Sequence, residues 1–373
     1  MTFATSCRAL ALLALTLATD AAPLPAIRLP EGFRLAIWAD DVPDARSLRL
    51  GPGGTVFVST RKAGKVYALR DTNNDGQADE AYILASGLDA PNGIDLRDGA
   101  LYVAETSRIL RFPDIEKSLG RPPVPQVVRD DLPGDGYHGW RYIGFGPDGK
   151  LYLAVGAPCN VCAPTPFGPA GAKLETASIS RMDPDGKHWE TVARGVRNSV
   201  GFDWHPQTRE LWFTDNGRDQ LGDDVPDCEL NHLGRAGEHF GFPFCHAGQV
   251  SDPEFGKARA CAEFSPPARR LGPHVAPLGM RFYTGAMFPK AYVNQIFVAK
   301  HGSWNRSRKS GYTLNVVTLK DGKVLADQVF ADGFLDGEET RGRPVDVLQL
   351  KDGSLLVSDD FGGRIFRITY VNP

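Results

Sequence analysis

A turn rich in glycine and aspartate, followed by four or five apolar residues closing on a small or polar one, occurs six times along this chain. The apolar copies lie at 55–59, 101–105, 151–155, 211–215, 296–300 and 355–359. Several share one turn: Gly51-Pro52-Gly53-Gly54, Gly146-Pro147-Asp148-Gly149, Lys351-Asp352-Gly353. After most copies comes a second strand-like run, at 64–69, 108–112, 178–182 and 364–368. Short β-branched and aromatic runs bounded by turn residues read as strands. No long stretch keeps the 3.6-residue period of an amphipathic helix. Strand units repeating about every 45 to 85 residues predict an all-β, six-bladed β-propeller of four-stranded antiparallel blades. Stacked blades protect their own edges, so the architecture needs no other layer.

The 41 Gly and 28 Pro suit so many turns, and a net charge of −3 argues against nucleic acid as the partner. The first residues read as a signal peptide over 1–21: Arg8, an uncharged apolar run at 9–18, then small residues at Thr19 and Ala21. A retained interfacial anchor is the other reading of that run. Residues 22–373 are then expected to form one propeller domain, periplasmic or secreted, with a long insertion around 219–273 between the fourth and fifth copies. The cysteines agree with export. Cys159 and Cys162 form a C-x-x-C pair without the following His of a haem site or the second pair of a zinc site, so a loop disulfide is expected. Cys245 and Cys261 are spaced to close a modest loop, which leaves Cys228 over, as a buried thiol or an intermolecular link.

Polar residues cluster where the repeated strands end. His138 sits between glycines and beside Tyr137 and Trp140, and both a catalytic and a structural role are open to it. Arg197 and Asn198 precede the fourth copy and offer a cationic fork beside an amide; a surface ion pair is the alternative for Arg197. Arg341 and Arg343 precede the sixth copy. Strand spacing would aim both at one place, where they require an anion; Asp346 is the local candidate and a ligand carboxylate the external one. The segment from Asp215 to Asn231 is dense in oxygen ligands, as a calcium site is and as a solvated acidic loop is.

In their order along six blades these motifs, with 274–280 and His301-Gly302-Ser303-Trp304-Asn305-Arg306, resemble the soluble sugar dehydrogenases that depend on pyrroloquinoline quinone (PQQ), most of all the sorbosone-dehydrogenase-like branch. The resemblance runs over nearly the whole mature chain. It implies a propeller with PQQ and Ca²⁺ as cofactors. It implies His138 as general base, Arg197 and Asn198 beside the quinone, Arg341 and Arg343 on the PQQ carboxylates, Asp359 near those arginines, and the main-chain carbonyls of Gly217 and Arg218 on calcium. The chain departs from the pattern in three places. Tyr137 stands where the glucose enzymes carry Asp. Lys300 falls slightly before the family's PQQ-binding lysine, so His301 or Arg306 is expected in that role. Cys228 replaces a carboxylate. The implied reaction is oxidation of an aldose-type sugar or hydrated aldehyde, with electrons passing to an external cytochrome or quinone, by a monomer or homodimer. A calcium-dependent propeller hydrolase of the lactonase kind, and a non-catalytic glycan-binding propeller, are the competing readings on the fold alone.

Overall fold

The computed structural model describes residues 26–134, 136–169 and 171–372; the expected signal peptide and Cys7 lie outside them. Six antiparallel sheets follow one another along the chain. Blade 1 comprises Ala45–Leu50, Val56–Thr60, Val66–Arg70 and Glu80–Ala85, and blade 2 Gly93–Arg97, Ala100–Ala104, Ile109–Phe112 and Gln126–Arg129. Blade 3 comprises Tyr142–Phe145, Leu151–Val155, Ser178–Met182 and Glu190–Arg194, with Glu238–His239 added in parallel at its edge. Blade 4 comprises Phe202–Trp204, Leu211–Asp215, Asp227–Leu233 and Arg269–Pro273, and blade 5 Pro277–Phe282, Ile296–Lys300, Thr313–Lys320 and Lys323–Ala331. Blade 6 takes Pro344–Gln349, Leu355–Asp359 and Arg364–Tyr370 from the C-terminal end and its outer strand, Phe33–Ala39, from the N-terminal end. That pairing closes the ring.

Each repeated apolar run is the second strand of its blade, and in all six every residue is buried. Such a strand is covered on both faces by the neighbouring blades, which is why it reads as continuous rather than alternating hydrophobicity. The segment around 219–273 is only partly an insertion. It holds the third and fourth strands of blade 4, and the excursion is the stretch from 234 to 268 between them, tied by the Cys245–Cys261 disulfide. The Gly, Pro and charge of the excursion masked the two strands on either side of it.

Polar links stitch blade to blade near the axis. Carboxylates on the first strands of blades 2, 4 and 6 accept backbone N–H groups of the next blade: Asp95 from Phe145, Asp203 from Phe282, Asp346 from Leu48. Arg49 lies between Asp95 (3.1 Å) and Asp346 (3.4 Å) and donates to the Tyr142 hydroxyl (3.0 Å). Asp346 is therefore answered from inside the channel and is not the partner of Arg341 or Arg343. Buried charges persist only when paired in this way.

Candidate active site

Every blade turns its chain at the same end of the ring twice: where its second strand passes to its third, and where its fourth strand passes to the next blade's first. Those loops enclose a cavity of about 470 Å³ over the axis. Leu278 and Trp140 give it apolar lining, backed by a buried cluster with Val200 and Val345. Its walls are cationic: Arg46, Arg61, Arg197, Arg218 and Arg343 all line it.

His138 reaches the cavity on a left-handed residue (φ 49°) in the loop before blade 3. Gly156 lets the loop approach, since a Cβ there would stand 2.5 Å from the His138 Cβ. The ring Nδ1 lies 2.9 Å from the Ala157 carbonyl, which can only accept, so Nδ1 carries the proton and Nε2 the lone pair. Burial, and then the charge of Arg197, hold this imidazole well below its ordinary value, with Arg141 adding to the effect. The ring is neutral and basic at Nε2 around neutral pH.

Arg197 lines the cavity with its guanidinium buried and all five N–H groups engaged. Nε donates to the Asn160 carbonyl (2.8 Å); Nη1 donates to the carbonyls of Asn216 (3.1 Å) and Gly217 (2.8 Å); Nη2 donates to Asn160 Oδ1 (2.9 Å) and Asp219 Oδ2 (3.2 Å). Its backbone N–H and that of Asn198 are both held by Asp215, whose own carboxyl burial pushes above the usual carboxylate range. Arg218 also lines the cavity, with its guanidinium paired to Asp252.

The opposite wall differs. Arg46 pairs with Asp360 (2.9 Å), which also accepts from His301 Nε2 (2.9 Å). Burial opposes the Asp360 carboxylate, but His301 and Arg46 outweigh it and hold it well below the usual range; burial in turn pulls His301 down to about 4. Arg61 lies over the Trp140 ring (5.0 Å), and its buried Nε has no hydrogen-bond partner among the described residues. Burial, and then Arg46, lower the Arg61 pKa. Arg343 donates to the carbonyls of His301 (3.1 Å) and Gly302 (2.7 Å) and lies over Tyr312. Neither Arg61 nor Arg343 has a carboxylate within ion-pair distance among the described residues. A wall of this kind answers an anion.

Of the residues singled out in the sequence, His138, Arg197, Asn198, Gly217, Arg218, His301 and Arg343 line the cavity together. Four others do not. Lys300 shares a strand face with Ile296 and Val298, which pack against Leu271 in the blade 4–5 interface; its ammonium bonds Asp327 (2.7 Å) and the Leu271 carbonyl (2.9 Å). Arg306 is spent on the Asp223 carbonyl (3.0 Å) and Asp224 (3.1 Å) of the neighbouring loop. Arg341 and Arg343 do not converge. The backbone N–H groups of Arg341 and Gly342 both bond to the Phe334 carbonyl, so the chain is not extended there, and Arg341 pairs with Glu339 (2.8 Å). Asp359 is buried under the wall, where Oδ1 accepts the Arg343 N–H (2.8 Å) while Oδ2 has no partner among the described residues; burial raises this carboxyl to about 6. Arg46 and Arg61 were not foreseen. The repeat held a signal for one of them: Arg61, Asn216, His301 and Asp360 each directly follow a second strand, and so stand at the same end of the ring. Among the cysteines, the Cys159–Cys162 and Cys245–Cys261 bonds are both formed, and Cys228 is a buried thiol on the cavity wall.

A family model described as glucose/sorbosone dehydrogenase matches residues 126–367. The chain belongs to that family. An uncharacterized protein of Borreliella burgdorferi is 34% identical over 360 residues, spanning 92% of this chain and 91% of its own. Among solved structures, the PQQ domain of pyranose dehydrogenase from Coprinopsis cinerea, in its holo form, superposes with a TM-score of 0.75 at 19% identity, over 94% of this chain and 99% of that one. The PQQ-bound aldose sugar dehydrogenase of Streptomyces coelicolor gives 0.62 at 20%, over 92% and 99%. A calcium structure of a family AA12 carbohydrate-active enzyme from Trichoderma reesei gives 0.74 at 18%, over 95% and 100%. At such identities the likeness establishes the propeller, and family membership makes this chain a sugar dehydrogenase of the propeller type.

Proposed function

We propose that this dehydrogenase binds PQQ in the cationic cavity and oxidises an aldose-type sugar or hydrated aldehyde with His138 as base. The observation that carries the reading is the wall on which Arg61 and Arg343 line the cavity with no carboxylate within ion-pair distance among the described residues. It supports a planar ligand bearing several carboxylates. PQQ supplies an electrophilic quinone that accepts hydride, which no side chain can provide.

The protein's own contribution is positional and electrostatic. Arg61 and Arg343 would hold the carboxylates of the ligand, beside the apolar surface of Trp140 and Leu278. His301, ordered by Asp360, borders the same wall. On the other side His138 accepts the substrate hydroxyl proton at Nε2, while its Nδ1–H stays on the Ala157 carbonyl. Burial, and then the charge of Arg197, keep that imidazole unprotonated between turnovers. Calcium would take the carbonyl oxygens of Gly217 and Arg218. Gly217 already accepts from Arg197, and no cluster of three or more His, Cys, Asp or Glu side chains suited to a metal exists among the described residues. A hard cation wants six or more oxygens, so its binding here depends on oxygens from the cofactor and water.

Titrating the apoprotein with PQQ, with and without Ca²⁺, while following absorbance and dye-linked oxidation of a panel of aldoses and aldehydes, tests the reading. PQQ binding with turnover supports it. Lactone hydrolysis without PQQ, or glycan binding without turnover, overturns it. Export to a periplasm or the exterior agrees with the two disulfides, and the electron acceptor is then an external cytochrome or quinone.

A further inference from the structure

The four-residue loop closed by the Cys159–Cys162 disulfide stands behind the cavity, yet one of its residues grips the wall. Asn160 accepts from Arg197 twice, through its carbonyl (2.8 Å) and through Oδ1 (2.9 Å). The same Oδ1 accepts the Asp219 backbone N–H (2.9 Å), and Asn160 Nδ2 donates to the Asp219 carbonyl (3.1 Å). Asp219 in turn holds the ion pair to Arg197. One residue therefore ties blade 3 to the loop after the second strand of blade 4 and takes two of the five guanidinium N–H bonds from one side, one through its side chain and one through its backbone carbonyl.

We propose that Asn160, presented by the disulfide-closed loop, is a positioning residue that stations Arg197 beside His138. The proposal rests on reading the cavity as the PQQ and sugar site. An arginine whose N–H groups are all satisfied by the protein has none left for a ligand, so it acts through a fixed charge and the face of its plane. That works only while the plane is held. Without the Asn160 side chain, Nη2 loses one acceptor and the Asp219 loop loses both of its bonds to Asn160. The guanidinium is then free to turn N–H groups into the cavity. A positioned group displaced by about 1 Å costs about a hundredfold in rate. The disulfide limits the freedom of the four-residue loop that carries Asn160.

The test uses the full mature chain with Asn160→Ala, Asn160→Asp, the pair Cys159→Ser/Cys162→Ser, and the combination of that pair with Asn160→Ala. Exchange of the Arg197 Nη2 hydrogens, one of which the Asn160 side chain holds, followed by NMR without cofactor, reads the positioning directly. Asn160→Ala is expected to speed it about tenfold or more, with the thermal midpoint little changed. With PQQ and sugar, the same variant is expected to lower kcat about 10- to 100-fold, with the PQQ Kd and the sugar KM changed by less than about threefold. Asn160→Asp keeps an oxygen toward Arg197 and the Asp219 N–H, and restores kcat to within about fivefold of wild type. The serine pair reproduces part of the loss, and adding it to Asn160→Ala costs nothing further, because both act on one element. Unchanged Arg197 exchange in Asn160→Ala, or losses that add independently, would overturn the proposal. If wild type fails to bind PQQ, the cofactor reading falls, while the exchange measurement still decides whether Asn160 holds Arg197.

Discussion

The two walls of the cavity carry the same kind of side chain and treat it oppositely. On the wall from blades 3 and 4, Arg197 has every N–H answered by the protein, and Arg218 is paired with Asp252. On the wall from blades 1, 5 and 6, Arg46 is paired with Asp360, but Arg61 and Arg343 line the cavity with no carboxylate within ion-pair distance among the described residues. Arginine count says little about a site; what matters is how much of each guanidinium's hydrogen-bonding capacity the protein has already used. A satisfied arginine is a stationary charge that tunes its neighbour, here His138. An unsatisfied one is a binding group.

That contrast breaks first at His138. Replacing it with alanine is expected to lower kcat by about two to four orders of magnitude while PQQ still binds, as titration and single-turnover kinetics would show. Retained turnover would move the base elsewhere. Next come the binding arginines. Arg61→Ala or Arg343→Ala should each weaken PQQ about 10- to 100-fold in Kd, the loss of a charge-assisted bond, with kcat at saturating PQQ far less affected. An equal loss in Asn160→Ala would erase the difference between the walls.

A smaller effect concerns pH. The His138 pKa is depressed, so its free base persists below the ordinary value of 6.5 and is lost only as pH falls through the lowered value. The acid limb of kcat/KM should therefore lie below pH 6.5, and Arg197→Gln should move it upward. The shift is partial, because burial is the larger cause and Arg141 remains. A limb that stays in place would detach Arg197 from the imidazole. The smallest effect is Arg341→Ala. Its partners are surface carboxylates, so PQQ affinity should stay within about twofold and stability within about 0.5 kcal/mol. A large loss of affinity would restore Arg341 to the site.

The blades, their number and the end of the ring that gathers the polar residues of the cavity were legible in the sequence, because strand patterning and turn residues act locally. The position of the apolar runs as second strands came from the structure, where each is buried along its whole length between neighbouring blades. His138, Arg197, Asn198 and Arg343 were legible as polar residues at strand ends. Their neighbours Lys300 and Arg341 looked equivalent and were not. Lys300 was decided by strand alternation that turned it into a blade interface with Asp327, Arg341 by a local departure from extended backbone at Phe334. Nor does any local pattern record that Asn160 reaches Arg197 and Asp219, or that Arg46 and His301 share Asp360. The sequence by itself determined a closed ring of six blades with a polar end. Only the tertiary structure decided which guanidinium groups remain open to a ligand, because hydrogen-bond satisfaction is settled between blades by residues far apart in the chain.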